Sequence, residues 1–153
     1  MRFLELRIPP PIAGLTIAGG MWTVAHLPPL LQLPNLVRLL VAVALGALGG
    51  AIALGGVWSF RRAQTTVNPL KPERSAALVT TGVYTFTRNP MYLGMVLALF
   101  AWAVYLASIW PLLGPPLFAL YITRFQIAPE ERVLGELFGA SFAAYKKRVR
   151  RWL

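Results

Sequence analysis

The sequence predicts an all-α polytopic membrane protein with about four transmembrane helices and a cytoplasmic C-terminal amphipathic helix. Two features of the composition lead to this fold class: 57% of the 153 residues are hydrophobic, whereas only 13% carry charge. Soluble domains carry nearer a quarter charged residues. The fifteen basic residues and the five acidic ones, all glutamates, largely avoid the long apolar stretches. We therefore expect a single membrane domain over residues 1–153.

Three stretches without charged residues exceed the 18 or so residues that a membrane span needs: 8–37, 39–60 and 89–123. The third stretch would extend roughly 52 Å as one helix, against a hydrocarbon core of about 30 Å, so it must fold back as a hairpin. The resulting spans are about 10–30, 36–59, 90–107 and 109–128, with a cytoplasmic loop at 61–89 and an interfacial tail at 129–153.

The turn of this hairpin is predicted near residues 107–111. Ser108 can cap a helix there, and Pro111 suits an early helical position. Residues 114–116 are the alternative. With the first choice, Pro115 and Pro116 lie inside the fourth helix and should kink it.

The distribution of basic residues predicts the orientation. With four spans, both termini and the loop at 61–89 share one side of the membrane, and that side receives fourteen of the fifteen basic residues. Only Arg38 lies opposite. The positive-inside bias makes the basic side cytoplasmic, so we expect an integral protein of a bacterial inner membrane with both termini in the cytoplasm. The first apolar run is too long for a cleaved signal, and we expect it to remain.

The tail at 129–153 has the pattern of an interfacial helix. Apolar residues recur in it at steps of three or four: Val133, Leu134, Leu137, Phe138, Phe142, Tyr145, Val149 and Trp152. The basic run at 146–151 favours contact with anionic lipid headgroups, and no nucleic-acid partner is expected. The glycines at 46–56 predict close helix packing, within this chain or between copies, so the oligomeric state stays open.

The chain has no cysteine and one histidine, which excludes disulfides and the usual Cys/His metal sites, and no metal is expected. Two polar segments could carry chemistry: residues 82–94 and residues 129–131. Both have structural explanations, because Asn89 can cap a helix whose first turn contains Pro90, and Pro129 can precede glutamates in a helical first turn. Tyrosines of the first segment suit the headgroup region.

Arg124 is a further candidate. It lies 15 residues into the predicted fourth span, about 22 Å along the axis and roughly 7 Å short of the inner boundary. An arginine at that depth suggests a function, although its side chain could also reach water by snorkelling. Arg124 and Glu131 are seven residues apart and would share one face of a continuous helix, with Pro129 as the predicted break between them.

Two motifs in order carry a resemblance to a known family. Residues 88–94 (RNPMYLG), an apolar hairpin, residues 129–134 (PEERVL), Phe138-Gly139 and Tyr145 resemble the isoprenylcysteine carboxyl methyltransferases and the phospholipid methyltransferases. The resemblance covers residues 65–153, including TTVNP at 65–69. The family motif commonly has histidine where this chain has Asn89, so we expect that residue to orient a ligand rather than to transfer a proton.

The resemblance implies methyl transfer from S-adenosylmethionine to a lipophilic, membrane-associated acceptor at the cytoplasmic face. The acceptor would be isoprenylcysteine carboxylate-like or phospholipid-like. The resemblance also implies a set of cofactor-binding residues: Tyr84, Arg88, Asn89, Pro90, Tyr92, Gly94, Glu130, Glu131 and Tyr145. In our own hypothesis Arg124 faces the reacting centre and positions the acceptor, since a guanidinium suits bidentate recognition, and Glu131 completes the catalytic pair.

Two other classes of function are compatible with parts of this sequence. A membrane scaffold that kept the fold without activity explains the spans but gives no reason for both polar motifs. A nicotinamide-dependent lipid reductase is the second alternative, because some membrane sterol reductases have similar C-terminal regions. A comparison of S-adenosylhomocysteine with NADPH binding separates the last alternative from a methyltransferase.

Overall fold

Helices account for the architecture of the part of the chain that the structure describes. The computed structural model describes residues 5–63 and 77–153. Apart from one isolated bridge between Leu30 and Ser108, these residues form helices and connecting turns. The α-helices are α1 (Pro10–Val24), α2 (Asn35–Arg62), α3 (Pro90–Leu106), α4 (Gly114–Ile122) and α5 (Ala128–Arg148). The all-α prediction is confirmed for these residues.

Part of the predicted loop at 61–89 lies outside the described residues. This part comprises residues 64–76, with Lys71 and Arg74 of the basic count and the TTVNP segment of the resemblance. Arg2 lies outside them as well.

Among the described helices, α2 is the one long and apolar enough to cross a membrane by length and composition. Its 28 residues extend about 42 Å, more than the roughly 30 Å of a hydrocarbon core. α1 has 15 residues and α3 has 17, fewer than the 20 or so that a perpendicular span needs. α1 ends at Val24, short of the predicted residue 30, and Pro28 and Pro29 follow, which disfavour helix at and before them.

The turn after α3 lies at the first of the two predicted positions. Ala107 takes a left-handed conformation with φ 51° and ends the helix. A 3-10 turn at Trp110–Leu113 then leads into α4. Pro115 lies near the start of α4 rather than in its interior, where the missing N–H has no helical partner to lose. The predicted proline kink within a longer fourth helix is therefore wrong.

The helix break expected at Pro129 is also wrong, because helical residues continue from α4 into α5 through a π-helical turn at Thr123–Ile127. Pro129 cannot donate a hydrogen bond to the carbonyl of Phe125, four residues earlier. That carbonyl instead accepts the backbone N–H of Leu6 at 3.0 Å. The backbone N–H of Leu6 thus replaces the hydrogen bond that Pro129 cannot make to the Phe125 carbonyl.

The glycines of α2 pack within this chain. A Cβ on Gly49 would lie 2.7 Å from the carbonyl oxygen of Gly94, and one on Gly56 would lie 3.1 Å from the ring of Pro90. Both positions therefore allow the backbones of α2 and α3 to approach closely. In contrast, a Cβ on Gly50 would meet nothing within 4 Å.

The tail departs from the single interfacial helix that its periodicity predicted. α5 has non-helical geometry at Gly139 (φ 44°, ψ −117°) and ends at Arg148, after which Val149 is extended. Phe142, Tyr145 and Val149 are buried in a cluster with Val79 and Tyr84. The periodic apolar face thus packs against the protein itself, because the chain at 77–85 covers it.

Candidate functional site

The start of α3 is held by the C-terminal residues of the chain. Pro90 occupies the first turn of α3, as predicted, but Asn89 makes no side-chain cap. Its amide Nδ2 instead donates to the carbonyl of Arg151 at 2.9 Å. Thr87 Oγ1 donates to the same carbonyl at 3.3 Å, and the N–H of Arg88 donates to the carbonyl of Arg150 at 3.1 Å. The capping role of the Asn89 side chain is therefore wrong, and this side chain joins the motif to the tail.

Tyr92 and Glu130 link α3 to α5. The Tyr92 hydroxyl donates to Glu130 Oε1 at 2.5 Å. The pKa of Glu130 is raised to about 8, mainly by burial; the Tyr92 hydrogen bond opposes this shift, and the charge of Glu131 adds to it. No cation is paired with Glu130 among the described ion pairs. At neutral pH the protonated form of this carboxyl group is therefore favoured.

Glu131, next in sequence, has the opposite environment. Arg88 Nη2 lies 3.1 Å from Glu131 Oε1, with 11% of the Arg88 side chain exposed. Arg151 approaches the same carboxylate with two donors, Nε to Oε1 at 3.1 Å and Nη2 to Oε2 at 2.6 Å. Glu130 thus accepts a hydrogen bond from a phenol, whereas its neighbour Glu131 forms ion pairs with two guanidinium groups.

The Arg88 guanidinium retains unused donors. Its Nε and Nη1 are buried and have no hydrogen-bond partner among the described residues. A buried donor without a partner costs about 1–3 kcal/mol, and more where the group is charged. Such a group at the start of a helix is well suited to receive an anion, because guanidinium nitrogens match the geometry of a carboxylate.

An open cleft of about 530 Å³ adjoins this cluster. Its lining includes Glu131 and Arg151 together with Arg132, Glu136 and Lys146. Its volume lies within the range of about 300–1,000 Å³ that is usual for small-molecule sites. The lining carries both signs of charge, which suits a ligand that is itself zwitterionic.

Tyr84 and Tyr145 are brought together, but in the neighbouring buried cluster rather than at these ion pairs. The Tyr145 hydroxyl donates to the backbone carbonyl of Tyr84 at 2.7 Å. Burial raises the pKa of Tyr145 to about 12. The ring of Phe60, near the end of α2, packs edge-on against Tyr84 with centroids 5.4 Å apart. These contacts attach the segment before α3 to both α2 and α5.

Gly94 lies on the other side of α3. Two residues of helix separate it from Tyr92, a rotation of about 200°, and a Cβ there would meet Gly49 and Ala53 of α2. The absence of a side chain at Gly94 therefore allows the close packing of α3 on α2. Glycine at this position has a structural reason that is independent of any ligand.

Arg124 is placed away from the cluster. It is 52% exposed and pairs with Glu5 at 3.0 Å, and Arg132 Nη2 binds the other carboxylate oxygen of Glu5. The Arg124 hydrogen bond is the largest influence that lowers the pKa of Glu5. The π-helical turn between Arg124 and Glu131 changes their angular relation, so they do not share the contacts that a regular helix predicted.

Two residues of this arrangement were absent from the sequence-based prediction: Arg151 and Glu5. Arg151 belongs to a run of basic residues that all look alike in sequence, and its contact depends on the reversal of the chain after Arg148. Glu5 had one signal, since it is the only acid before residue 73, among basic residues that could pair with it.

Comparisons with known proteins match the part of the chain that contains the start of α3 and the two glutamates. The sequence model of the phospholipid methyltransferase family matches residues 37–141, which include the start of α3 and both neighbouring glutamates. The chain is also similar to a protein of Haemophilus influenzae (strain ATCC 51907 / DSM 11121 / KW20 / Rd) described as "Uncharacterized protein", with 46% identity over 63 residues. That similarity covers 41% of this chain and the whole of the relative. No solved structure matches. The resemblance noted from the motifs is confirmed: the chain belongs to the phospholipid methyltransferase family, a family of integral membrane methyltransferases that includes the isoprenylcysteine carboxyl methyltransferases.

Proposed function

We propose that this protein transfers a methyl group from S-adenosylmethionine to a lipophilic acceptor, phospholipid-like or isoprenylcysteine carboxylate-like, at the cytoplasmic face of a bacterial inner membrane. The observation that carries the proposal is the convergence of two distant segments. Tyr92 binds Glu130 and Arg88 binds Glu131, so residues some 40 positions apart form one polar cluster beside a cleft. The family membership supports a methyltransferase acting on a lipid-type acceptor.

The residues present fit the cofactor's polar groups. The free Nε and Nη1 of Arg88 can donate to the carboxylate of its methionyl group. Glu130 and Glu131 offer acceptors for its ammonium or ribose hydroxyl groups, and Asn89 and Pro90 fix the backbone at the entry to α3. Tyr84 and Tyr145 would act from the adjoining cluster by holding that segment in place. Gly94 contributes through the close packing of α3 on α2.

The bound cofactor supplies an activated methyl group. A lone pair of the acceptor would form the new bond to that carbon, and the electron pair of the broken sulfur–carbon bond would stay on sulfur. The protein's main task is to hold the two groups in line at close distance, which can lower the barrier by several kcal/mol. Fixed dipoles and exclusion of water at the cleft would add to this effect.

The acceptor's apolar part is proposed to lie in the membrane beside α2. This helix exposes a continuous series of large apolar side chains, among them Leu36, Leu40, Val43, Leu54 and Trp58. Arg124 is retained as a proposed acceptor-positioning residue because its guanidinium is half exposed and lies beside that of Arg132 on Glu5. The four-span arrangement within one domain and the cytoplasmic termini remain proposals that rest on the charge distribution.

The test is calorimetric titration of the detergent-purified protein with S-adenosylhomocysteine. We expect measurable binding by the wild type and weaker binding by Glu131→Gln, whose loss of charge also releases Arg88 and Arg151. Lys147→Gln is the control, because Lys147 is exposed on the same helix, is not among the residues that line the cleft and forms none of the described ion pairs. A wild type that binds NADPH but not S-adenosylhomocysteine would contradict the proposal. A radiolabelled methyl screen against total membrane lipids then identifies the acceptor.

A further inference from the structure

The incomplete pairing of Arg88 has a specific cause. An arginine that faces a carboxylate usually forms two parallel N–H···O bonds to it. Arg88 uses only Nη2 toward Glu131, and its Nε and Nη1 remain buried without a partner among the described residues. Arg151 takes the two-donor position instead, through Nε at 3.1 Å and Nη2 at 2.6 Å. Of the roughly four lone-pair sites of a carboxylate, these bonds leave about one, on Oε2 of Glu131, which is too few for both remaining nitrogens of Arg88.

Contacts of Arg151 and of the residue after it hold this part of the tail in place. The carbonyl of Arg151 accepts bonds from Thr87 and Asn89. The next residue, Trp152, donates from Nε1 to Thr123 Oγ1 at 3.3 Å and packs against the buried cluster of α1, α3 and α4. These contacts hold the backbone of Arg151 in place, so its side chain extends from a fixed position beside Glu131. Residues 142–153, which include Arg151, lie beyond the residues that match the family.

We propose that Arg151 is a positioning residue for the cofactor site: by occupying Glu131, it keeps two nitrogens of Arg88 available for the carboxylate of the cofactor's methionyl group. This inference rests on the proposed function. Arg151 acts through Glu131 and Arg88 although it also lines the cleft. Its loss should therefore add nothing to the loss of affinity in Arg88→Gln when the two changes are combined, whereas a further loss would mean that Arg151 binds the ligand directly. Without Arg151, the Arg88 guanidinium can form the two-donor pair with Glu131. Fewer of its nitrogens are then free to donate to the cofactor.

Two ligands that differ in the amino-acid group, which carries the carboxylate, test the proposal. S-adenosylhomocysteine carries the amino-acid group, whereas 5′-methylthioadenosine has the same nucleoside and thioether without it. For Arg151→Gln in the full-length protein, we expect affinity for S-adenosylhomocysteine to fall about tenfold or more, the effect of losing one charge-assisted hydrogen bond. Affinity for 5′-methylthioadenosine should stay within about twofold of the wild type, since that ligand does not use Arg88. Arg148→Gln, an exposed arginine at the end of α5, is the matched control and should bind both ligands like the wild type.

A second variant keeps the test valid if Arg151→Gln does not fold. Arg151→Lys retains the charge but lacks the two-donor fork, so it should lose part of the affinity for S-adenosylhomocysteine and none for 5′-methylthioadenosine. Equal losses for both ligands would indicate a general structural role and overturn the inference, as would unchanged or tighter binding of S-adenosylhomocysteine by Arg151→Gln. A wild type that binds neither ligand would instead overturn the proposed function, and this inference with it.

Discussion

The environment of Glu130 predicts a pH-dependent stability that one substitution should remove. Burial raises the pKa of this carboxyl group to about 8 from an ordinary value of 4.5. Between these values the folded chain binds a proton that the unfolded chain has released, so the free energy of unfolding falls as the pH rises. The contribution of Glu130 is fully present below its unfolded pKa and is lost as the pH passes through its folded pKa. Glu130→Gln has the shape of the protonated form and cannot ionise.

The size of the effect follows from the shift. At about 1.4 kcal/mol per pKa unit, the shift sets an upper limit of roughly 5 kcal/mol, which water at the edge of the cleft reduces. Even a change of 1 kcal/mol corresponds to about 2–4 °C in Tm for a chain of this length. We therefore expect Glu130→Gln to match the wild type near pH 5 and to exceed its Tm by about 4 °C or more near pH 8.5.

Thermal unfolding in detergent, followed from pH 5 to 8.5, measures this difference directly. Glu136→Gln serves as the control, because this exposed glutamate should give a curve parallel to that of the wild type. Parallel curves for Glu130→Gln and the wild type would refute the reasoning, since they would mean that Glu130 is already ionised at low pH in the folded protein.

Three further predictions concern packing, a buried hydrogen bond and the acceptor. Gly49→Val should destabilise the protein by about 1–3 kcal/mol, the usual cost of overpacking, because a Cβ there would already lie 2.7 Å from the Gly94 carbonyl oxygen. Gly50→Val is the control and should have the Tm of the wild type, because a Cβ at Gly50 meets nothing within 4 Å. Tyr145→Phe should cost about 1–3 kcal/mol by removing the partner of a backbone carbonyl, and an unchanged Tm would contradict this. Arg124→Lys should lower methyl-transfer turnover while leaving S-adenosylhomocysteine affinity unchanged, and an unaltered rate would remove Arg124 from the mechanism.

The helical class and much of the helix placement could be predicted from the sequence. Charge-free stretches and prolines are local signals, so α2 falls where the apolar run predicted it and α3 begins at Pro90. The resemblance brought the motif at 88–94 together with Glu130 and Glu131 before any coordinates, and the structure joins them through Tyr92 and Arg88. The two motifs lie together because their spacing along the chain and the apolar hairpin between them leave few ways to arrange them; their role in binding a cofactor stays a prediction.

The remaining details depend on contacts between segments that are distant in sequence. Periodicity gave the tail an apolar face but could not say whether lipid or protein covers it, and the segment at 77–85 does so. Nothing local distinguishes Arg151 from its basic neighbours or shows that Glu5 reaches Arg124.

Composition and hydropathy thus determined by themselves that this chain is helical and apolar, because those properties add up residue by residue. Which arginine meets Glu131, and which nitrogens of Arg88 stay free, was decided only by the tertiary structure. The physical reason is that a carboxylate accepts few hydrogen bonds, so the two donors that the fold brings from Arg151 leave too few acceptor sites on Glu131 for every nitrogen of Arg88.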